Sequence, residues 1–301
     1  MKANNHHQGL YRPEFERDNC GFGLIAQMDD QPSHWLLDTA INALERLTHR
    51  GAIAADGKTG DGCGLLMKKP DTFLRALAKE QGVDLSPLYA VGMIFLNKDE
   101  AMAATARVVI QENLNQEGLS IAFWREVPVN PEACGEEALT SLPRIEQVFI
   151  NAPEDMDTEA FERHLFVARR RSEIALQKDD EAFYVPSLSS QVISYKGLIM
   201  PANLPVFYQD LQDPKLETSL CVFHQRFSTN TWPQWRLAQP FRFLAHNGEI
   251  NTIRGNRNWA QARAHTFASE HLPKLSDLLP LVSMEGSDSS SLDNMLEVLL
   301  A

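Results

Sequence analysis

Apolar residues recur at helical spacing over 34–48, where Leu36, Leu37, Ala40, Ala43, Leu44 and Leu47 share one face and Ser33 stands where a cap belongs. Similar patterning predicts helices over 72–79, 100–116 and 158–177, the last acidic early and basic in its middle. Apolar runs predict strands over 89–97, 119–127 and 144–151. In ERDNCGFGLIA, residues 16–26, the alternation Phe22, Leu24, Ala26, continued by Met28, predicts a half-buried strand with Cys20 at its head. GKTGDGCG, residues 57–64, reads as a loop, after which CGLLM enters the core as a short strand. Residues 128–143, rich in Pro and Glu, read as surface loop, and 184–199 as two short strands forming an antiparallel pair. FRFLA reads as a strand running into Asn247-Gly248, and LDNMLEVLLA as an amphipathic helix. The order is mixed α and β, with no repeat, low-complexity tract or linker to divide it, so one domain is expected.

Composition narrows the class. With 44% hydrophobic residues in 301, the chain has material for a substantial core and does not read as disordered. A formal net charge of -12 argues against nucleic acid as a partner, and Arg169-Arg170-Arg171 is expected on a helix surface. No apolar run approaches the roughly 20 residues of a membrane span, and the first residues lack the apolar centre of a secretory signal. The four cysteines are scattered, without a C-x-x-C pair, which fits a reducing compartment. A cytoplasmic location follows as the expectation. The last helix stops at Ala301 with no Gly, Asn or Pro to end it, so the natural polypeptide is expected to continue.

Metal and phosphate chemistry find little support. The histidines show neither zinc-finger spacing nor H-x-x-x-H, and GKTGDGCG lacks the spacing of a phosphate loop. No G-x-S-x-G elbow occurs. Cys20 remains as a candidate nucleophile. A thiol near pKa 8.5 needs a base, and no histidine is diagnostic, but a cut between Asn19 and Cys20 would free an α-amine of pKa about 7.7 to 8.0 on the same residue. Asn247 and Gly248 would then offer a side-chain amide and a backbone N–H, the equipment of an oxyanion hole. Arg226, Ser228 and Thr229 suit a carboxylate, and Asp288 suits an ammonium group. Singly, each feature also fits a duller role: a buried thiol, a hairpin turn, a surface ion pair, a helix cap.

Together, ERDNCGFGLIA, HRGAIAADGKTGDGCG, LPRIEQVFINAP, HQRFSTNTWPQWRLAQPFRFLAHNGEINTIRGNR and GSDSSSLDNMLE resemble the class II glutamine amidotransferase domain of glutamate synthase large chains, over residues 10–301. The resemblance implies an α+β fold, a four-layer α/β/β/α sandwich of the N-terminal nucleophile hydrolase type with two mainly antiparallel sheets. It implies a propeptide, residues 1–19, and an amidotransferase domain, residues 20–301, shortened at its C-terminal end. It further implies that Cys20 attacks the glutamine amide, Asn247 and Gly248 stabilise the oxyanion, Arg226 and Thr229 hold the α-carboxylate, Asp288 and the Gly248 carbonyl hold the α-amino group, and Arg50 supports the pocket. In such proteins the ammonia passes to 2-oxoglutarate on synthase domains absent from this sequence. FMN, an iron–sulfur cluster and an electron-donating small subunit or ferredoxin belong to those parts, and no cofactor is expected in this chain. Two alternatives stay open: an amidotransferase of the purine or glucosamine pathways, and an uncut, silent glutamine-binding module.

Overall fold

A computed structural model describes residues 20–226 and 232–301. Among the described residues the strands are β1 (Phe22–Ala26), β2 (Cys63–Lys68), β3 (Tyr89–Leu96), β4 (Ser120–Glu126), β5 (Arg144–Asn151), β6 (Tyr184–Ser189), β7 (Val192–Gly197) and β8 (Leu220–Gln225). The helices are α1 (His34–Arg46), α2 (Asp71–Glu80), α3 (Glu100–Gln116), α4 (Glu136–Thr140), α5 (Thr158–Leu176), α6 (Leu204–Phe207), α7 (Ile253–Arg263) and α8 (Asp288–Leu300). They build two four-stranded sheets, ordered β1-β8-β2-β7 and β4-β5-β3-β6, with every pairing antiparallel. This is the expected α+β sandwich.

Local signals start the main helices. Ser33 Oγ accepts from the Leu36 N–H at 3.2 Å, and Asp99 Oδ1 from the N–H groups of Ala101 and Met102 at 2.9 and 3.0 Å. Asp157 Oδ1 caps α5 through Ala160 at 2.8 Å, and Ser287 Oγ caps α8 through Ser290 at 3.0 Å. Each cap contributes about 1 kcal/mol. Strand β3 is buried along its whole length, because its two faces serve two cores. Tyr89, Val91, Met93 and Phe95 meet α1 and the first sheet, while Ala90, Ile94 and Leu96 meet Ile110 and Leu114 of α3 and Phe161 and Leu165 of α5. Burying one Leu or Phe in such a core contributes about 1.5–3 kcal/mol.

Five local expectations are corrected. In β1 the alternation Phe22 and Leu24 faces outward, 41% and 59% exposed, because the inner face at Gly23 is filled by the ring of Phe223 from the paired strand. β6 and β7 are not paired with each other; β6 bonds to β3 and β7 to β2, so the turn between them joins the two sheets. FRFLA forms no strand; residues 241–245 run as irregular backbone. The arginine triple is not a solvated face: Arg169 is 3% exposed and holds Glu173 at 2.7 Å and Glu297 at 2.8 Å, while Arg171 bonds Glu117. Residues 128–143, read as loop, also contain α4, whose Ala138 is buried.

Candidate active site

Cys20 stands at the head of β1, exposed, while Cys63, Cys134 and Cys221 are buried and all four are free. Burial pushes the three interior thiols up, Cys134 to about 11 and Cys221 to about 12, which leaves almost no thiolate on them at neutral pH. The accessible sulfur is therefore that of Cys20. Beside it, Gly21 admits two neighbours at close range: a Cβ there would lie 3.0 Å from Asn247 Oδ1 and 2.6 Å from the Gln225 carbonyl. The Gln225 N–H donates to Gly21 O at 2.7 Å, and the Arg226 N–H to Gly62 O at 2.9 Å. Thus the head of β1, the end of β8 and the turn carrying Asn247 and Gly248 meet at one place.

Arg226 has φ of 103°, a left-handed conformation rare for a residue with a side chain and recurrent at functional sites. Its guanidinium opposes the effect of burial on Asp61, whose carboxyl is nevertheless held above its ordinary range by desolvation. Gly51, next to Arg50, packs on this group so tightly that a Cβ would fall 1.9 Å from Gln225 Nε2 and 2.7 Å from Asp61 Oδ1. Among the described residues Asp61 Oδ1 and both amide atoms of the fully buried Gln225 lack hydrogen-bond partners. The segments 50–51, 61–62 and 225–226 thus form a polar wall behind Cys20. Thr229 and residues 1–19 lie outside the described residues.

Asp288 opens α8 as its first residue. Its Oδ2 accepts the Ile250 N–H at 2.8 Å, and Oδ1 the Ser289 N–H at 2.6 Å and the Ser289 hydroxyl at 3.2 Å. His246 Nδ1 lies 2.9 Å from Ser289 Oγ, and Asp293 Oδ1 accepts the Phe243 N–H at 2.8 Å. Three side chains of α8 therefore grip the stretch 243–250. Sequence reasoning reached Cys20, Asn247, Gly248, Arg50, Arg226 and Asp288, but missed Asp61, Gln225, Ser289, Asp293, His224 and Gln239. His224 and, beside Asn247, His246 sat inside quoted motifs, and their closeness to Gln225 and Asn247 in the chain was the available signal. A cavity of about 470 Å³ between α5, the β6–β7 turn and α8 contains none of the candidate catalytic residues.

Burial pushes the Asp293 carboxyl up from 3.8 to about 7, with Glu297 adding to the rise and Arg242 opposing it. Between those values the unfolded chain releases the proton and the native fold keeps it. The stabilising contribution of this group is thus present below about pH 4 and lost as the pH rises to about 7. Asp293→Asn keeps an acceptor for the Phe243 N–H and removes the titration. Its unfolding midpoint, measured against pH, should gain on that of the unsubstituted chain from pH 4 to 7; a constant difference would contradict the assignment.

The sequence profile of one family, described as glutamine amidotransferases class-II, matches residues 20–301. The glutamate synthase [NADPH] large chain of Bacillus subtilis (strain 168) is 44% identical over 292 residues, covering 96% of this chain and 19% of that protein. The protein of the same description from Azospirillum brasilense is 41% identical over 296 residues, 96% of this chain and 19% of its own. Ferredoxin-dependent glutamate synthase 1, chloroplastic/mitochondrial, from Arabidopsis thaliana is 41% identical over 292 residues, 95% of this chain and 18% of that protein. The chain spans about a fifth of the length of the curated relatives it matches.

Proposed function

The chain belongs to the class-II glutamine amidotransferases, and from that membership we propose that it hydrolyses L-glutamine to L-glutamate and ammonia through a thioester on Cys20. Residues 1–19 are a propeptide whose removal frees the Cys20 α-amine, and 20–301 form the amidotransferase domain. The amine takes the thiol proton, directly or through a water. The thiolate adds to the side-chain amide carbon, and the oxygen, now negative, is met by the Asn247 side-chain amide and the Gly248 N–H. The C–N bond breaks, and the nitrogen leaves as ammonia with the proton the amine held. Water then adds to the thioester, its hydroxyl going to the acyl carbon and its other proton to the amine, and glutamate departs as the thiol re-forms.

Arg226 and Thr229 hold the α-carboxylate of glutamine, Asp288 and the Gly248 carbonyl its α-ammonium, and Arg50 supports the pocket. The observation that carries this reading is the approach of Asn247 Oδ1 to Gly21, where the missing Cβ leaves it room, one residue from the exposed Cys20. A family match that opens at residue 20 supports the cut before the cysteine. Asn247→Ala should lower kcat for ammonia release by about 10²–10³-fold, with the glutamine KM changed only a few-fold. An unchanged kcat would remove Asn247 from the oxyanion site.

In the relatives, proteins named for glutamate synthesis, this chain's counterpart is a minor part of the whole. The proposal extends accordingly: the ammonia reaches 2-oxoglutarate on further synthase domains of the same polypeptide, in the cytoplasm. Those domains carry FMN and an iron–sulfur cluster and take electrons from a small subunit or ferredoxin. Among the described residues no three His, Cys, Asp or Glu side chains converge to hold a metal. No helix among the described residues is long and apolar enough to cross a membrane.

A further inference from the structure

His224 occupies an unusual position between the two halves of the site. On the first sheet it pairs with Phe22, two residues from Cys20, and with Gly64 on its other side. Its ring Nε2 donates to the His246 carbonyl at 3.1 Å. The same carbonyl accepts from Gln239 Nε2 at 2.9 Å, and Gln239 Oε1 in turn accepts the His246 N–H at 2.9 Å. Both side chains are buried, His224 at 1% and Gln239 at 2% exposure. Burial pushes the His224 imidazole down to about 4, so the ring is neutral, and a single N–H aimed at a carbonyl is the form that fits.

The His246 carbonyl belongs to the peptide plane that carries the Asn247 N–H. Two buried donors on one carbonyl fix that plane, and with it the direction in which Asn247 and Gly248 leave the chain. One of those donors is rooted in β8, hydrogen-bonded to the strand that Cys20 heads. We propose that His224 and Gln239 are positioning residues of the glutaminase site, a strut that sets the spacing between the Cys20 sulfur and the Asn247–Gly248 oxyanion donors. This rests on the reading of Asn247 and Gly248 as those donors. Neither side chain needs to touch glutamine, and neither is needed to grip its charged ends, so their removal should act on the transition state and spare ground-state binding.

The test is steady-state ammonia release by the full chain carrying His224→Leu, His224→Gln and Gln239→Met. His224→Leu should lower kcat by about 10–100-fold with KM within about twofold, since a misplacement of about 1 Å costs up to about 100-fold. His224→Gln keeps an N–H donor at similar reach and should recover to within a few-fold of the unsubstituted chain. In an Asn247→Ala background the His224→Leu penalty should shrink to about threefold or less, because the strut acts through the donor already removed. Should His224→Leu fail to fold, Gln239→Met carries the same kcat expectation. A folded His224→Leu or Gln239→Met with full kcat, or a His224→Gln as impaired as His224→Leu, overturns the proposal alone. Full turnover in Asn247→Ala instead overturns the oxyanion reading, and the strut with it.

Discussion

Replacing Cys20 by alanine should abolish ammonia release from glutamine, lowering turnover by about 10⁴-fold or more, because a covalent route is lost outright when its nucleophile goes. The oxyanion donors and the glutamine-binding groups stay in place in that variant, so glutamine should still bind. The magnitude separates this role from a packing role. Cys20 is exposed, and removing one exposed sulfur changes stability by less than about 0.5 kcal/mol. Cys134→Ala and Cys221→Ala should behave in the opposite way, losing about 1 kcal/mol of stability from the core while keeping turnover. A loss of activity shared evenly by the three variants would remove Cys20 from its assigned role.

The second large effect is on stability and lies behind the site. Arg242 and Arg169 form a closed ring with Glu173 and Glu297, all four at most 8% exposed. The Arg242 Nη1 also donates to Val185 O at 2.7 Å. Arg242→Met leaves two buried carboxylates short of a partner and one carbonyl without its donor, and should cost about 3–5 kcal/mol. Arg242→Met combined with Glu297→Met removes charge in balance and should cost less than the single substitution, since much of the penalty is the stranded charge and not the lost attraction. By contrast, the pair Arg144–Glu126, with side chains 30% and 68% exposed, should yield no more than about 0.5 kcal/mol when broken by Glu126→Gln. Urea unfolding of the four proteins ranks them. A single Arg242→Met no worse than Glu126→Gln would show that the ring is not held out of water.

The ring also bears on function. It binds α5 and α8 to the start of the stretch that Asp293, Ser289 and Asp288 hold further along, so the Asn247–Gly248 turn rests on a rigid base. Much of this architecture is legible in the sequence. The helix over 100–116 appears as read, because Asp99 caps it and small apolar residues recur on one face. The face of β1 was not legible, since the ring that fills its inner side, that of Phe223 in β8, comes from far along the chain. Helix α7 buries none of its residues and so leaves no apolar period to read. The candidate catalytic residues stood out because their chemistry is uncommon in combination. His224, Gln239, Ser289 and Asp293 did not, because each is an ordinary polar residue whose task, holding the backbone or side chains of residues 243–246, takes shape only in the folded chain.

Intact-mass measurement of the active chain after treatment with a glutamine-like electrophile tests the central claim most directly. The account predicts a mass that begins at Cys20 and carries one adduct, with fragment masses placing it on that residue. A glutamine-hydrolysing chain whose mass still begins at Met1, or an adduct on Cys63, Cys134 or Cys221, would contradict it.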